Sequence, residues 1–253
     1  MKILIKNMMF IFPFLLLGCD KDESLNPPPD SEMVFVVAKM PAGGKILPLE
    51  IMYRSTTCLK NRKNSNGDVV KEPGYHFVKK EFNHLSGDSI FNLEVSRDGG
   101  GRCNWKLSNV TLSFNLKELP SGNDEKSENI PVKEIVVFDN NSPQLLSGSY
   151  EAINGNIKLK GDYFPLITKR RDSSSQVEYS IIRSSPDVIY KSTSAKEVIF
   201  EPRLHSLKTL RATEPKVQKV GVYMSVLYPD GIVENGPYFP NYKKLQLLSK
   251  ASD

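Results

Sequence analysis

The side chains able to do chemistry are few and scattered. Gly87-Asp88-Ser89-Ile90 places a serine on a glycine turn, as serine-esterase nucleophile blocks do. A serine attacks only when a neighbouring base takes its proton. The chain holds three histidines, His76, His84 and His205, and none sits in the Asp-x-x-His block that carries the base in such esterases. Residues 82–86 ahead of the serine, Phe-Asn-His-Leu-Ser, are not the apolar strand that presents such a nucleophile. Neither G-x-S-x-G nor H-E-x-x-H occurs. Carboxylates are numerous, but no spacing selects an acid–base pair. Gly99-Gly100-Gly101-Arg102 could turn backbone N–H groups toward an anion. It lacks the helix and lysine of a phosphate loop, and a hairpin turn accounts for its glycines. Lys169-Arg170-Arg171 could touch phospholipid head groups, but beside a serine run it reads as a solvated loop. The expectation is a protein that is not an enzyme and carries no cofactor and no metal.

The N-terminus indicates where the chain works. Lys2 and Lys6 precede an apolar run from Met8 to Leu17, interrupted only by Pro13, with no acid. That run is far shorter than the roughly 20 residues that span a bilayer. Residues 1–18 therefore read as an export signal rather than a transmembrane anchor. Leu16-Leu17-Gly18-Cys19 resembles the lipobox of bacterial lipoproteins. The resemblance implies that the Cys19 thiol receives a diacylglyceryl group, that the chain is cut before it, and that the new N-terminus is acylated. Two or three acyl chains, at roughly 0.8 kcal/mol per buried methylene, hold a protein to a bilayer essentially permanently. Asp20 after the lipid site resembles lipoproteins kept at the inner membrane. The expected location is thus the periplasm, with a lipid anchor. Residues 20–32 are polar, charged and proline-rich, so they read as a flexible tether stiffened at Pro27 to Pro29.

With Lys2 and Lys6 removed, 32 basic residues face 29 acidic ones. A balance of about +3 is no nucleic-acid signature, which needs a strong basic excess on one face. Beyond Cys19 two cysteines remain, Cys58 and Cys103. An exported domain usually pairs two such thiols. Two free buried thiols are the alternative; a metal pair lacks histidines at ligand spacing.

Most of residues 33–253 read as strands of a sandwich or barrel. Met33 to Ala38 and Leu47 to Tyr53 are apolar runs. Phe91, Leu93 and Val95 alternate with polar residues, as do Cys103, Trp105 and Leu107. At Ser108-Asn109 the parity flips, and Val110, Leu112, Phe114 and Leu116 become the apolar set, which predicts a β-bulge or bend there. Trp105, beside Cys103, is expected to pack on the cysteine pair. Residues 90–96 and 103–116 read as a hairpin closed by the glycines. Asn154-Gly155 reads as a second hairpin turn between 150–153 and 156–159. Val132 to Phe138, Val177 to Ile181, Val188 to Lys191, Glu197 to Phe200 and the alternating Val220 to Tyr228 complete roughly ten strands. Only Lys79 to Leu85 and Tyr242 to Ala251 have helical patterns. The polar stretch 120–130 could divide two β-rich subdomains. That stretch, with 97–102 and 229–236, is also an exposed candidate for contact.

Two segments carry a more specific likeness. Tyr53-Arg54-Ser55-Thr56-Thr57-Cys58 and Gly99-Gly100-Gly101-Arg102-Cys103-Asn104-Trp105-Lys106-Leu107-Ser108 resemble immunity lipoproteins that accompany type VI secretion lipase effectors, especially those of phospholipase D type. The likeness spans roughly residues 45–116. It implies inhibition by binding, with a membrane-tethered partner capping the active site of a secreted lipase toxin. A structural or assembly lipoprotein of a cell-envelope complex fits the same exported, tethered, β-rich chain.

Overall fold

Alternation of apolar and polar residues gives the chain its strands, and burial of one face of each gives it two sheets. The computed structural model describes residues 22–119, 127–141, 149–170, 176–215, 217 and 219–251. Cys19, Asp20, Arg171 and residues 120–126 of the expected loop lie outside them. The protein is mostly β, with two sheets in a sandwich-like arrangement and one short helix.

In the first sheet, strand Met33–Lys39 buries Val34, Val36 and Ala38 and turns Phe35 outward. It runs antiparallel to Ile90–Ser96 and parallel to Glu197–Leu204. The long strand Ile157–Lys169 lies parallel to Glu197–Leu204 with its first half, and pairs with Val177–Arg183 and Leu210–Thr213 with its second. In the second sheet the order is Ser149–Ala152, Val188–Lys191, Val132–Val137, Trp105–Leu116, Leu49–Lys63 and Val69–Lys80. One core joins the two. The Phe114 ring of the second sheet meets Tyr163 and Phe200 of the first at 5.2 and 5.7 Å. Strands before and after residues 120–130 share both sheets, so the two-subdomain alternative does not describe this arrangement. A smaller cluster of Phe164, Leu166, Leu210, Val226, Tyr228 and Leu245 covers the other face of the first sheet. It holds helix Tyr242–Lys250, capped by Asn241, whose side chain accepts the N–H groups of Lys243 and Lys244.

The bulge falls where the parity flip places it. Met52 pairs with Asn109 and Tyr53 with Leu107, leaving Ser108 as the extra residue. Both expected hairpins are corrected. Ile90–Ser96 belongs to the first sheet and Trp105–Leu116 to the second, so the chain crosses between layers at Arg97, and only the short Asp98–Gly100 pairs antiparallel with Trp105–Leu116. Asn154-Gly155 crosses in the same way from Ser149–Ala152 to Ile157–Lys169. A turn signal records that the chain reverses; which strand it then pairs with is decided by burial elsewhere. Residues 79–85 are not helical: Lys79 and Lys80 close the pairing with Glu50 and Leu49, and Asn83–Ser86 forms a short edge strand. Sheet pairing overrides local propensity there. The strand expected over 220–228 is confined to Ser225–Leu227, with Val226 buried and Val220 wholly exposed.

The expected strand at 47–53 continues to Lys63. With Val69–Gly74 it forms a two-stranded ribbon in which every residue from Leu59 to Lys71 is exposed.

Candidate functional site

The cysteines come together. Cys58 and Cys103 form a disulfide with Cα atoms 5.2 Å apart, joining the root of the ribbon to the start of Trp105–Leu116. Trp105 is fully buried in the same core. Its ring meets His76 at 5.5 Å, and its Nε1 donates to the carbonyl of Glu23 at 2.9 Å. The glycine loop faces protein, not an anion. The Asn26 N–H donates to Gly99 O at 2.8 Å, and Leu25 packs on the core. A Cβ on Gly100 would stand 2.1 Å from Asn26 O, so this approach requires glycine. Residues 23–26 are therefore docked on the sandwich, correcting the expectation of a free tether through residue 32. The stretch looked polar because a single apolar side chain, Leu25, supplies its packing.

The candidate triad does not assemble. Ser89 lies in the turn before Ile90–Ser96, where its carbonyl accepts the Met40 N–H. His84 sits on the edge strand with its ring against Phe91. His205 follows Glu197–Leu204, three strands away in sheet order, about 14 Å at ordinary strand spacing. His205 is buried, stacked on Phe164 at 4.7 Å, with Nε2 2.8 Å from Asp162 Oδ1. Among the described residues, no hydroxyl or thiol is hydrogen-bonded to its ring and no group of three or more His, Cys, Asp or Glu could hold a metal.

A buried polar cluster that sequence reasoning missed links the sheets. Glu134 accepts the Tyr163 hydroxyl at 2.5 Å and Arg183 Nη1 at 3.1 Å; Arg183 Nη2 donates to Tyr190 at 2.8 Å. Glu134 and Tyr190 come from the second sheet, Tyr163 and Arg183 from the first. Burial pushes the Glu134 carboxyl above the usual carboxylate range, while Arg183 and the Tyr163 hydroxyl pull the other way. The Tyr163 hydroxyl is raised by burial and by that carboxylate. Four polar groups bonded to one another between two sheets describe a structural staple, in which Arg183 Nε alone is buried without a hydrogen-bond partner among the described residues.

A cleft of about 470 Å³ on the first sheet, beside the C-terminal segment, combines exposed aromatic and charged side chains. Leu166, Thr168, Ser180 and Ile182 line it from the sheet, and Tyr223, Tyr238 and Phe239 from the segment. Tyr223 meets Tyr238 at 5.1 Å, and Tyr238 meets Phe239 at 4.7 Å, both edge to face. All three aromatics stay exposed, Tyr238 at 63%. Beside them, Arg170 donates to Glu178 Oε2 from Nε at 2.8 Å. Tyr228 supports this segment, donating to Glu234 and accepting the Asn241 N–H. Burial pushes its hydroxyl up to about 12. Of the stretches named for contact, 97–102 is touched by residues 24–26 at Gly99 to Gly101 and leaves Gly101 and Arg102 exposed, and 229–236 is mostly exposed. Only the clustering of Tyr223, Tyr238 and Phe239 in a glycine- and proline-rich tail could have signalled the site.

The lining offers apolar and aromatic surface with charged groups at its edge. Among the described residues no helix is long and apolar enough to cross a membrane. Comparison with family models, with curated proteins and with solved structures gives no match.

Proposed function

We propose that the protein is a membrane-anchored periplasmic binding protein, an immunity protein that neutralises a type VI secretion lipase effector of phospholipase type by capping its active site. One observation carries the reading: three large aromatics, Tyr223, Tyr238 and Phe239, left exposed around a cleft with Arg170 and Glu178 beside them. Tyrosine and arginine dominate interface hot spots, and an exposed apolar cluster rimmed by charge marks a contact surface. The sequence likeness at 53–58 and 99–108 supplies the partner class, and the lipobox at Cys19 supplies the anchor.

A stable complex buries on the order of 1,600 Å². The cleft is therefore the centre of a larger contact, and 229–236 is its natural extension. The test is capture of the tethered protein from envelope extracts, with mass spectrometry of what accompanies it. A lipase in stoichiometric yield, whose phospholipid hydrolysis stops on adding this protein, supports the proposal. Components of an envelope complex instead would replace it with the assembly reading.

A further inference from the structure

We infer that the ribbon Leu59–Lys71 is a membrane-contact element that lies on an anionic phospholipid surface beside the lipid anchor. The inference rests on the reading of Cys19 as the acylated residue. Between Cys19 and Glu23 there are four residue steps, at most about 14 Å of chain. Glu23 is already docked, its carbonyl held by Trp105 Nε1. The far edge of the same indole lies 3.7 Å from where a Cβ on Gly74 would stand, at the ribbon's root. The docked end of the tether and the ribbon's root thus meet at one side chain. Beyond Cys58 the ribbon extends about five residues to its turn, roughly 17 Å. The tether is no longer than the ribbon, so the bilayer surface is within the ribbon's reach.

The ribbon's composition suits that neighbour. Leu59 pairs with Pro73, Asn61 with Lys71 and Lys63 with Val69, and directly paired residues share a face. That face carries three apolar residues and two cations and no acid. Lys63 and Lys71 have no ion-pair partner among the described residues, whereas on the opposite face Arg62 is paired with Glu72 at 3.0 Å. Leu59 and Val69 are 48% and 62% exposed. Apolar side chains interleaved with unpaired lysines are what an anionic bilayer surface attracts. Residues 20–23 hold three acids and one lysine. The tether itself therefore gains nothing from such a surface, and the ribbon supplies the attraction.

The test uses the acylated protein purified from membranes and placed in vesicles of phosphatidylcholine, with or without phosphatidylglycerol. Mass spectrometry of the N-terminal peptide reports whether Cys19 carries lipid; deuterium exchange reports on 59–71. The expected result is an acylated Cys19 and ribbon exchange slowed at least about fivefold by phosphatidylglycerol. In the doubly substituted Lys63→Glu, Lys71→Glu protein, exchange should return to the phosphatidylcholine rate. An acylated protein with equal exchange in both vesicles overturns the membrane contact and leaves the anchor standing. Protection seen only after adding the captured lipase assigns the ribbon to the protein partner and likewise overturns it. An unmodified Cys19 removes the anchor and this placement together.

Discussion

At the residue scale, the aromatics around the cleft and the cysteine pair do different work, and substitutions separate them. Tyr238 and Phe239 are mostly solvent-facing in the unbound protein, so truncating them removes little packing. On the proposed function, Tyr238→Ala or Phe239→Ala is expected to weaken capture of the proposed partner by about 2 kcal/mol, roughly thirtyfold, with the melting temperature nearly unchanged. Titration of the purified partner with each variant checks this; full affinity in both would remove the cleft from the interface. The disulfide acts on stability instead. Cys58 and Cys103 lie 45 residues apart, and closing a loop of that size stabilises by about 4 kcal/mol on the chain-entropy model. Cys58→Ser and Cys103→Ser should each lower thermal stability by a similar amount, and the double variant should add almost nothing. Additive losses in calorimetry would mean the thiols contribute separately.

At the element scale, the glycine loop and residues 23–26 form one unit. Gly100 has φ +54° and Gly101 +67°, and the space above them is taken by the backbone of Asn26 and Ser24. Gly100→Ala meets both the unfavourable dihedral and the Asn26 carbonyl, so it should release residues 22–31 from the sandwich. Limited proteolysis would show faster cleavage within 22–31 in the variant and unchanged cleavage elsewhere. The loop's composition suggests a hairpin, and Asp98–Gly100 does pair with Trp105–Leu116, but glycine reports only permitted dihedrals and close approach, so neither the change of sheet ahead of it nor the docking of Asn26 is legible. The bulge at Ser108 was legible for the opposite reason. A period-two pattern that slips by one residue must place an extra residue in the strand, whatever the partner.

At the scale of the whole molecule, the sandwich is held by its apolar core and stapled by Glu134, Arg183, Tyr163 and Tyr190. Removing one partner of a buried ion pair leaves the other charge uncompensated, at a typical cost of about 3–5 kcal/mol. Arg183→Met should therefore destabilise the fold at neutral pH by an amount in that range. The sign of the pH dependence follows from Glu134. Its folded pKa lies above its unfolded value, so its favourable contribution is complete below the unfolded value and is lost as pH rises through the folded one. Without Arg183 that folded value rises further. The deficit of the variant should thus grow as pH rises from the ordinary carboxylate range toward neutrality. Denaturant titrations of both proteins across that range test it, and a pH-independent deficit would show that Glu134 does not titrate there.

The sequence by itself determined the β class, most strand faces, the irregularity at Ser108-Asn109 and the two cysteines free to pair. Each is written locally, in alternation or in a residue count. Only the tertiary structure decided that the chain crosses between sheets at Arg97 and at Asn154-Gly155, that residues 23–26 dock, and that Glu134 and Arg183 meet across the core. It alone gathers Tyr223, Tyr238 and Phe239 around one cleft with Arg170 and Glu178. The physical reason is common to all of these. A strand's own pattern says which face is buried, but its partners are chosen by the burial of distant segments, and no local spacing encodes that choice.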